Sequence, residues 1–381
     1  MLGCRSHRDF AARVNALISI IRALSLLFIA LTLLPFIRSP AWWIRVWDYP
    51  RLQLATVLGV SLLANVILLY VSPEGTTLSA VSLTIATALA CAWQAHSIWP
   101  YTPAHTVQSL PARAPDIESG LAVIVTNVLQ HNRNSAGLVE IVSEMQPDIL
   151  IAIETDAWWD EQLAVLDATF PHNVRIPLEN TYGMHVFSQL ELRDVCVREI
   201  VSPGIPSVRA TVRLRSGEEC ELYAVHPEPP LPRVDAAKRD AELLLVAREV
   251  RQRRRPTLVA GDLNDVAWSH TTRLFQRISG LLDPRVGRGL FATFNAKHRL
   301  VRWPLDHLFH DRSFRLLEMK VLRGYGSDHF PIYASLVHDP AAVKRTREPR
   351  ADAQDQADAT EKITEGVATE HERRAFGWRP G

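Results

Sequence analysis

The chain has 381 residues, of which 47% are hydrophobic and 22% charged, room for about two domains or one large domain with appendages. A formal net charge of +1 argues against a protein held to nucleic acid by bulk charge. The four cysteines, Cys4, Cys91, Cys196 and Cys220, lack the close Cys-x-x-Cys spacing of a zinc site.

Residues 1 to about 15 are short and basic, with Arg5, Arg8 and Arg13. Three apolar runs follow, at about 16–36, 52–71 and 77–99, each long enough to cross a bilayer core, and together they predict a membrane domain over residues 1–102. A cleaved signal peptide would account for the first run alone, and no small-residue cleavage site follows it. Trp42, Trp43 and Trp47 in the first loop, and Trp99 and Tyr101 after the third run, are placed as interfacial belts. The arginine count gives a near tie for orientation, since Arg5, Arg8 and Arg13 are balanced by Arg38, Arg45 and Arg51.

A polar, proline-bearing linker is expected over 103–119, and a second composition then begins. Strands are predicted at Leu121–Val125 and Asp148–Ile153, with a helix at Gly137–Met145 between them and another at Trp158–Phe170. Short strands follow around Val174, His185–Phe187, Val195–Ile200, Ser207–Leu214 and Cys220–Val225, bounded by Gly183, Pro203, Gly204 and Gly217. Helices are expected at Arg233–Arg254 and Ser269–Ile278, and closing strands at Leu305–Phe309, Phe314–Val321 and Pro331–Val337. Many short strands with a few helices between them predict an α+β sandwich. From about Asp339 to residue 381 the chain is charged and almost free of large apolar residues, which predicts a disordered tail.

The stretch Thr257–Asp265, TLVAGDLND, reads as a buried strand that Gly261 ends. In extended chain Asp262 and Asn264 project the same way, so that a carboxylate able to take a proton from water sits beside a carboxamide able to donate to an anion. The plainer alternative is an Asx-turn closing the strand. Polar residues recur at other strand ends: Asn127, Glu154, His226, Asp306, and Asp328 with His329. Side by side, these ends would form one rim of groups that bind a hard metal ion, activate water or stabilise phosphoryl oxygens.

The order Asn, Glu, His, Asp-x-Asn, Asp, Ser-Asp-His, with GDLN and GSDHFPI as its most specific motifs, resembles the endonuclease/exonuclease/phosphatase superfamily over roughly Gly120 to His338. The resemblance implies a four-layered αββα sandwich over 120–338 and a magnesium-dependent phosphodiesterase or phosphatase, with manganese as an alternative ion. Carried over residue by residue, it implies Glu154 as principal metal ligand with Asn127 nearby, and Asp306 on the metal or on His329. It further implies Asp262 activating water with Asn264 holding it, His329 steered by Asp328, and His226 on the scissile phosphate or leaving group. Two departures stand out: Ser188-Gln189 where the family has Ser-Arg, which would remove a phosphate contact, and HPEPP around His226.

Other residues carry plainer readings. Arg251, Arg253, Arg254 and Arg255 read as a solvated helix end, Trp158 and Trp159 as packing, and His131, His172 and His298 as uninvolved. Cys196 and Cys220 fall in neighbouring predicted strands, where a disulfide could join them. The expected protein is therefore a multi-pass inner (plasma) membrane phosphoester hydrolase with its catalytic domain outside the cytoplasm. Lipid or small phosphoesters are favoured as substrates, with a DNA or RNA nuclease and a catalytically decayed membrane scaffold as alternatives; the bilayer is the one non-substrate partner, and no protein partner is inferable.

Overall fold

The computed structural model describes residues 2–71 and 77–375, with side chains from 12 to 373; the side chains of Arg5 and Arg8 and tail residues 376–381 lie outside them. The chain divides into two compact units, Met1–Pro100 and Tyr101–Gly381.

The first unit consists of α1 (Leu2–Leu33), a short α2 (Trp42–Arg45), α3 (Arg51–Val71) and α4 (Leu78–Ile98). Three stretches, Ala12–Phe36, Arg51–Val71 and Leu78–Tyr101, are helices long and apolar enough to cross a membrane. Several polar side chains of this unit bond one another. Arg51 donates to Asp48 (2.7 Å) and Gln94 (3.2 Å), Arg45 pairs with Asp48 at 3.0 Å, and Gln94 donates to Thr32 at 3.0 Å.

The second unit is built on two facing sheets. One has six strands in the order β10 (Phe314–Val321), β11 (Ile332–His338), β1 (Gly120–Asn127), β2 (Ile149–Ile153), β4 (Met184–Ser188), β3 (His172–Ile176). The other runs β5 (Glu191–Arg198), β6 (Ser207–Arg213), β7 (Glu219–Ala224), β8 (Thr257–Asp262), β9 (Asp306–His310). Period-two alternation decides which side chains go where. Val123, Val125, Ile149, Ile151, Leu258 and Ala260 fill the space between the sheets. Ile124 and Leu150 point outward, under α5 (Ser135–Met145) and α6 (Ala157–Leu163). Val259 and Phe309 likewise point outward, under α7 (Ala237–Arg253) and α8 (His270–Ser279). The result is the αββα sandwich.

Helix starts are capped as their sequences allow: Asn134 accepts from Gly137 N (3.1 Å), Asp156 from Trp159 N (2.9 Å) and Ser269 from Thr272 N (3.0 Å). The helix expected over Trp158–Phe170 is shorter, ending at Leu163 with a single 3₁₀ turn beyond.

Two further expectations are corrected. The charged tail is not disordered through residue 375, because Ala353–Ala375 forms helix α9, which packs along α7. Its few apolar contacts, Ala359 and Ile363, are supplemented by specific ion pairs. Lys362 pairs with buried Asp240 (3.1 Å), Asp355 with Arg277 (2.8 Å), Asp358 with His270 (2.5 Å) and Arg373 with Glu228 (3.2 Å). Composition argues for disorder only when such charges have no partners waiting on another surface.

The segment 103–119 is irregular and lies against the domain: Leu316 N donates to Leu110 O at 2.9 Å, Ala112 N to Leu316 O at 2.8 Å, and Ser109 bonds His310 at 2.7 Å. The second correction concerns the cysteines. Strand β6 lies between β5 and β7, with Cys196 opposite Arg209 and Cys220 opposite Val212, so the two thiols are separated by a full strand and both are free.

Candidate active site

The site forms where the C-terminal ends of β1, β2 and β8 meet the start of β9. Its centre is set by β8, which pairs parallel with β7 and antiparallel with β9, in a register that puts Asp262 opposite Asp306. Gly261 lies within β8 rather than ending it, and makes this close approach feasible. It has φ +150°, and a Cβ there would lie 1.9 Å from the Val225 carbonyl oxygen. Beyond Asp262 the chain turns sharply. Asn264 has φ +50° and its N–H donates to Asp262 Oδ1 (2.9 Å), so the Asx-turn is present and Asn264 is not extended. The Asn264 carboxamide donates to Pro227 O at 3.0 Å. Buried Arg239 donates to the Asn264 carbonyl (2.7 Å) and is itself held by Asp240, which fixes the turn from behind.

His329 joins the two acids. Its Nδ1 is 2.7 Å from Asp306 Oδ2 and its Nε2 3.6 Å from Asp262 Oδ2. Burial alone would lower its pKa, but the Asp306 and Asp262 carboxylates outweigh it and hold the imidazole up to about 10. Burial also pushes Asp262 upward, against the pull of His329. The residue steering His329 is thus Asp306, not Asp328. Asp328 offers its backbone carbonyl to Ala296 N at 2.6 Å instead, and its Oδ1 is buried without a hydrogen-bond partner among the described residues.

The other half of the site comes from the six-stranded sheet. Asn127 ends β1, and Glu154 follows β2 in the left-handed region at φ +65°. Such a conformation is costly outside glycine and here turns the carboxylate toward Asn127. Asn127 Nδ2 lies 2.7 Å from Glu154 Oε1 and 3.3 Å from Asp262 Oδ2, linking the sheets, while Gln130 N donates to Glu154 Oε2 (3.2 Å). Burial raises the Glu154 pKa, and the Asn127 and Gln130 hydrogen bonds partly oppose it. Ser327 Oγ donates to the Asn127 carbonyl (2.8 Å) and accepts from His329 N (3.0 Å), tying the Ser-Asp-His loop to β1. His226, just past β7, is fully buried, lowered to about 4 by burial and therefore neutral at physiological pH; its Nδ1 has no hydrogen-bond partner among the described residues.

This donor set suits a hard divalent cation. It consists of carboxylate and carboxamide oxygens with no thiolate, Asp306 Oδ1 is buried without a hydrogen-bond partner among the described residues, and carboxylate oxygens of Asp262 and Asp306 lie within 4.8 Å of each other.

The sequence model of the Endonuclease/Exonuclease/phosphatase family matches residues 124–329, over half of the chain, from within β1 to His329. The chain belongs to that family, whose members are phosphoester hydrolases. Solved structures similar to this family member include D. rerio TDP2 complexed with a single-strand DNA product (16% identity, TM-score 0.49, 57% of this chain and 99% of that one). The human Nocturnin catalytic domain with bound sulfate (16%, 0.48, 59% and 96%) and a mannosyl-6-phosphatase from Bacteroides thetaiotaomicron (18%, 0.48, 57% and 99%) are similar as well. No curated protein matches the chain.

Asn127, Glu154, Asp262, Asn264, Asp306, His226 and His329 are brought to one end of the sandwich, and the Asp328 carboxylate lies close enough to His329 to help raise its pKa. The Ser188-Gln189 departure has no bearing on the site. Ser188 pairs with Ile149 at the start of β2, away from Glu154, and Gln189 donates to Pro147 O at 2.8 Å. Trp159 packs in the core beneath α6, as expected. Sequence reading missed Arg239, Ser327 and Gln130, which support the site largely through backbone groups. Only Ser327, within GSDHFPI, carried a usable signal.

Proposed function

We propose that the protein is a membrane-anchored, magnesium-dependent phosphoester hydrolase in which Asp262 activates the attacking water. The observation that carries this reading is the convergence of Asn127 and Glu154 from one sheet with Asp262, Asp306 and His329 from the other. Glu154 and Asn127, with Asp306 through its Oδ1, would hold the ion, which supplies positive charge at the phosphoryl oxygens when bound. Asp262, buried and pointed by the Asn264 turn, accepts the proton of water. His329, kept protonated between Asp306 and Asp262, stabilises charge developing on the phosphoryl oxygens. Neutral His226, with Nδ1 uncommitted, contacts the scissile phosphate or the leaving group. Asn264 keeps the water-activating turn in place.

Removing divalent metal with EDTA is expected to abolish hydrolysis of bis-p-nitrophenyl phosphate, and Mg²⁺ or Mn²⁺ to restore it. Full turnover in EDTA would sink the metal-dependent reading. Running sphingomyelin, inositol phosphates and plasmid DNA in the same assay separates lipid and small-phosphoester hydrolysis, which the apolar helices favour, from nuclease action.

The three candidate spans would put the N-terminus and the hydrolase on opposite sides of the plasma membrane. The short basic N-terminus supports a cytoplasmic start and an extracytoplasmic active site. Alkaline phosphatase fused after Asp116 is expected to be active. An inactive fusion beside an active cytoplasmic reporter at the same junction would place the site inside.

A further inference from the structure

Between β9 and the Asp283 region, the chain doubles back beside the site. Phe294 and Trp303 bridge antiparallel, and Asn295 N donates to Val301 O at 3.2 Å. The base of this loop is stitched to the catalytic groups: the Phe294 ring is 4.9 Å from that of His329, Asp306 N donates to Thr293 Oγ1 (3.3 Å), and Phe330 N donates to Thr293 O (3.0 Å). Its tip has the opposite character. Leu300 is 86% exposed and Val301 40%, beside exposed Lys297, His298 and Arg299. No acidic residue occurs between Asp283 and Asp306.

An exposed aliphatic pair costs free energy in water, and the cations beside it have no acidic neighbour within the loop itself. Apolar side chains flanked by cations are what an interfacial element presents to anionic headgroups. The same chain carries three helices able to cross a membrane, which would keep the tip within reach of a bilayer. We infer that the loop 294–303 is a bilayer-contact element of the catalytic domain. Leu300 and Val301 enter the headgroup region, Lys297 and Arg299 pair with anionic lipid phosphates, and the site beside His329 receives a phosphoester presented at the lipid surface. This inference rests on the hydrolase reading only for its substrate, not for the contact.

The test uses the full chain in nanodiscs of phosphatidylcholine, with and without phosphatidylglycerol, and in detergent. Backbone hydrogen exchange over 296–302 is expected to slow by about tenfold in the anionic discs. Equal exchange in all three settings overturns the contact. Leu300→Asp combined with Val301→Asp is expected to lower hydrolysis of a vesicle phospholipid by about tenfold while keeping turnover of soluble bis-p-nitrophenyl phosphate. Parallel loss on both substrates overturns the inference, as would a loss confined to oligonucleotide cleavage in Lys297→Glu with Arg299→Glu. If the wild type hydrolyses neither substrate, the hydrolase reading fails, and the exchange measurement still decides the contact.

Discussion

Asp262→Asn is expected to reduce turnover of bis-p-nitrophenyl phosphate by at least about 10²–10⁴-fold, the usual contribution of a positioned general base, while leaving the melting curve in place. The asparagine oxygen can still accept from Asn264 N, so the turn survives. What disappears is the proton acceptor and one of the two carboxylates that keep His329 charged. His329→Ala is expected to be comparably severe. The pair Asp306→Asn and Asp328→Asn then separates the two candidates for steering the imidazole: the His329 pKa, read by NMR on metal-free protein, should fall far more in the first than in the second. An Asp262→Asn protein that kept more than about a tenth of its activity would remove Asp262 from the base role.

Gly261→Ala is expected to have the largest effect on the fold. The new Cβ would meet the Val225 carbonyl oxygen at 1.9 Å and its carbon at 2.9 Å, both backbone atoms of the sheet interior, and φ +150° is closed to alanine in any case. Neither strand can move without disrupting the β7–β8 pairing that carries Asp262. A loss above about 4 kcal/mol, the range of mutations that violate a special backbone position, should leave little folded protein. A variant that melts and turns over as wild type would show that β8 can be repositioned at no cost.

Much of the site was readable because strand ends are readable. Alternation marks where a buried strand runs, and the polar residue at its boundary is conspicuous, which singled out Asn127, Glu154 and Asp262 at or just past strand ends, His226 beyond β7 and Asp306 at the start of β9. Contacts between distant segments were less readable. Asp328 adjoins His329 in sequence and invited the steering role, the resemblance left Asp306 on the metal or on His329, and the structure bonds Asp306 to His329 Nδ1. The same blindness produced the expected Cys196–Cys220 neighbours, with β6 between them. It also hid α9, whose order depends on Asp240, Glu228, His270 and Arg277 lying ready on other elements.

The Asn127–Asp262 link spans two sheets that are otherwise held apart by the side chains between them. Those side chains, Val125, Ile153 and Ala260 among them, therefore act as a shim that sets how far the jaws of the site stand open. Because interiors are close-packed and transmit strain, a bulkier shim would spread the carboxylates of one jaw from those of the other. The spacing of the candidate site is thus set by aliphatic residues that take no part in its polar contacts.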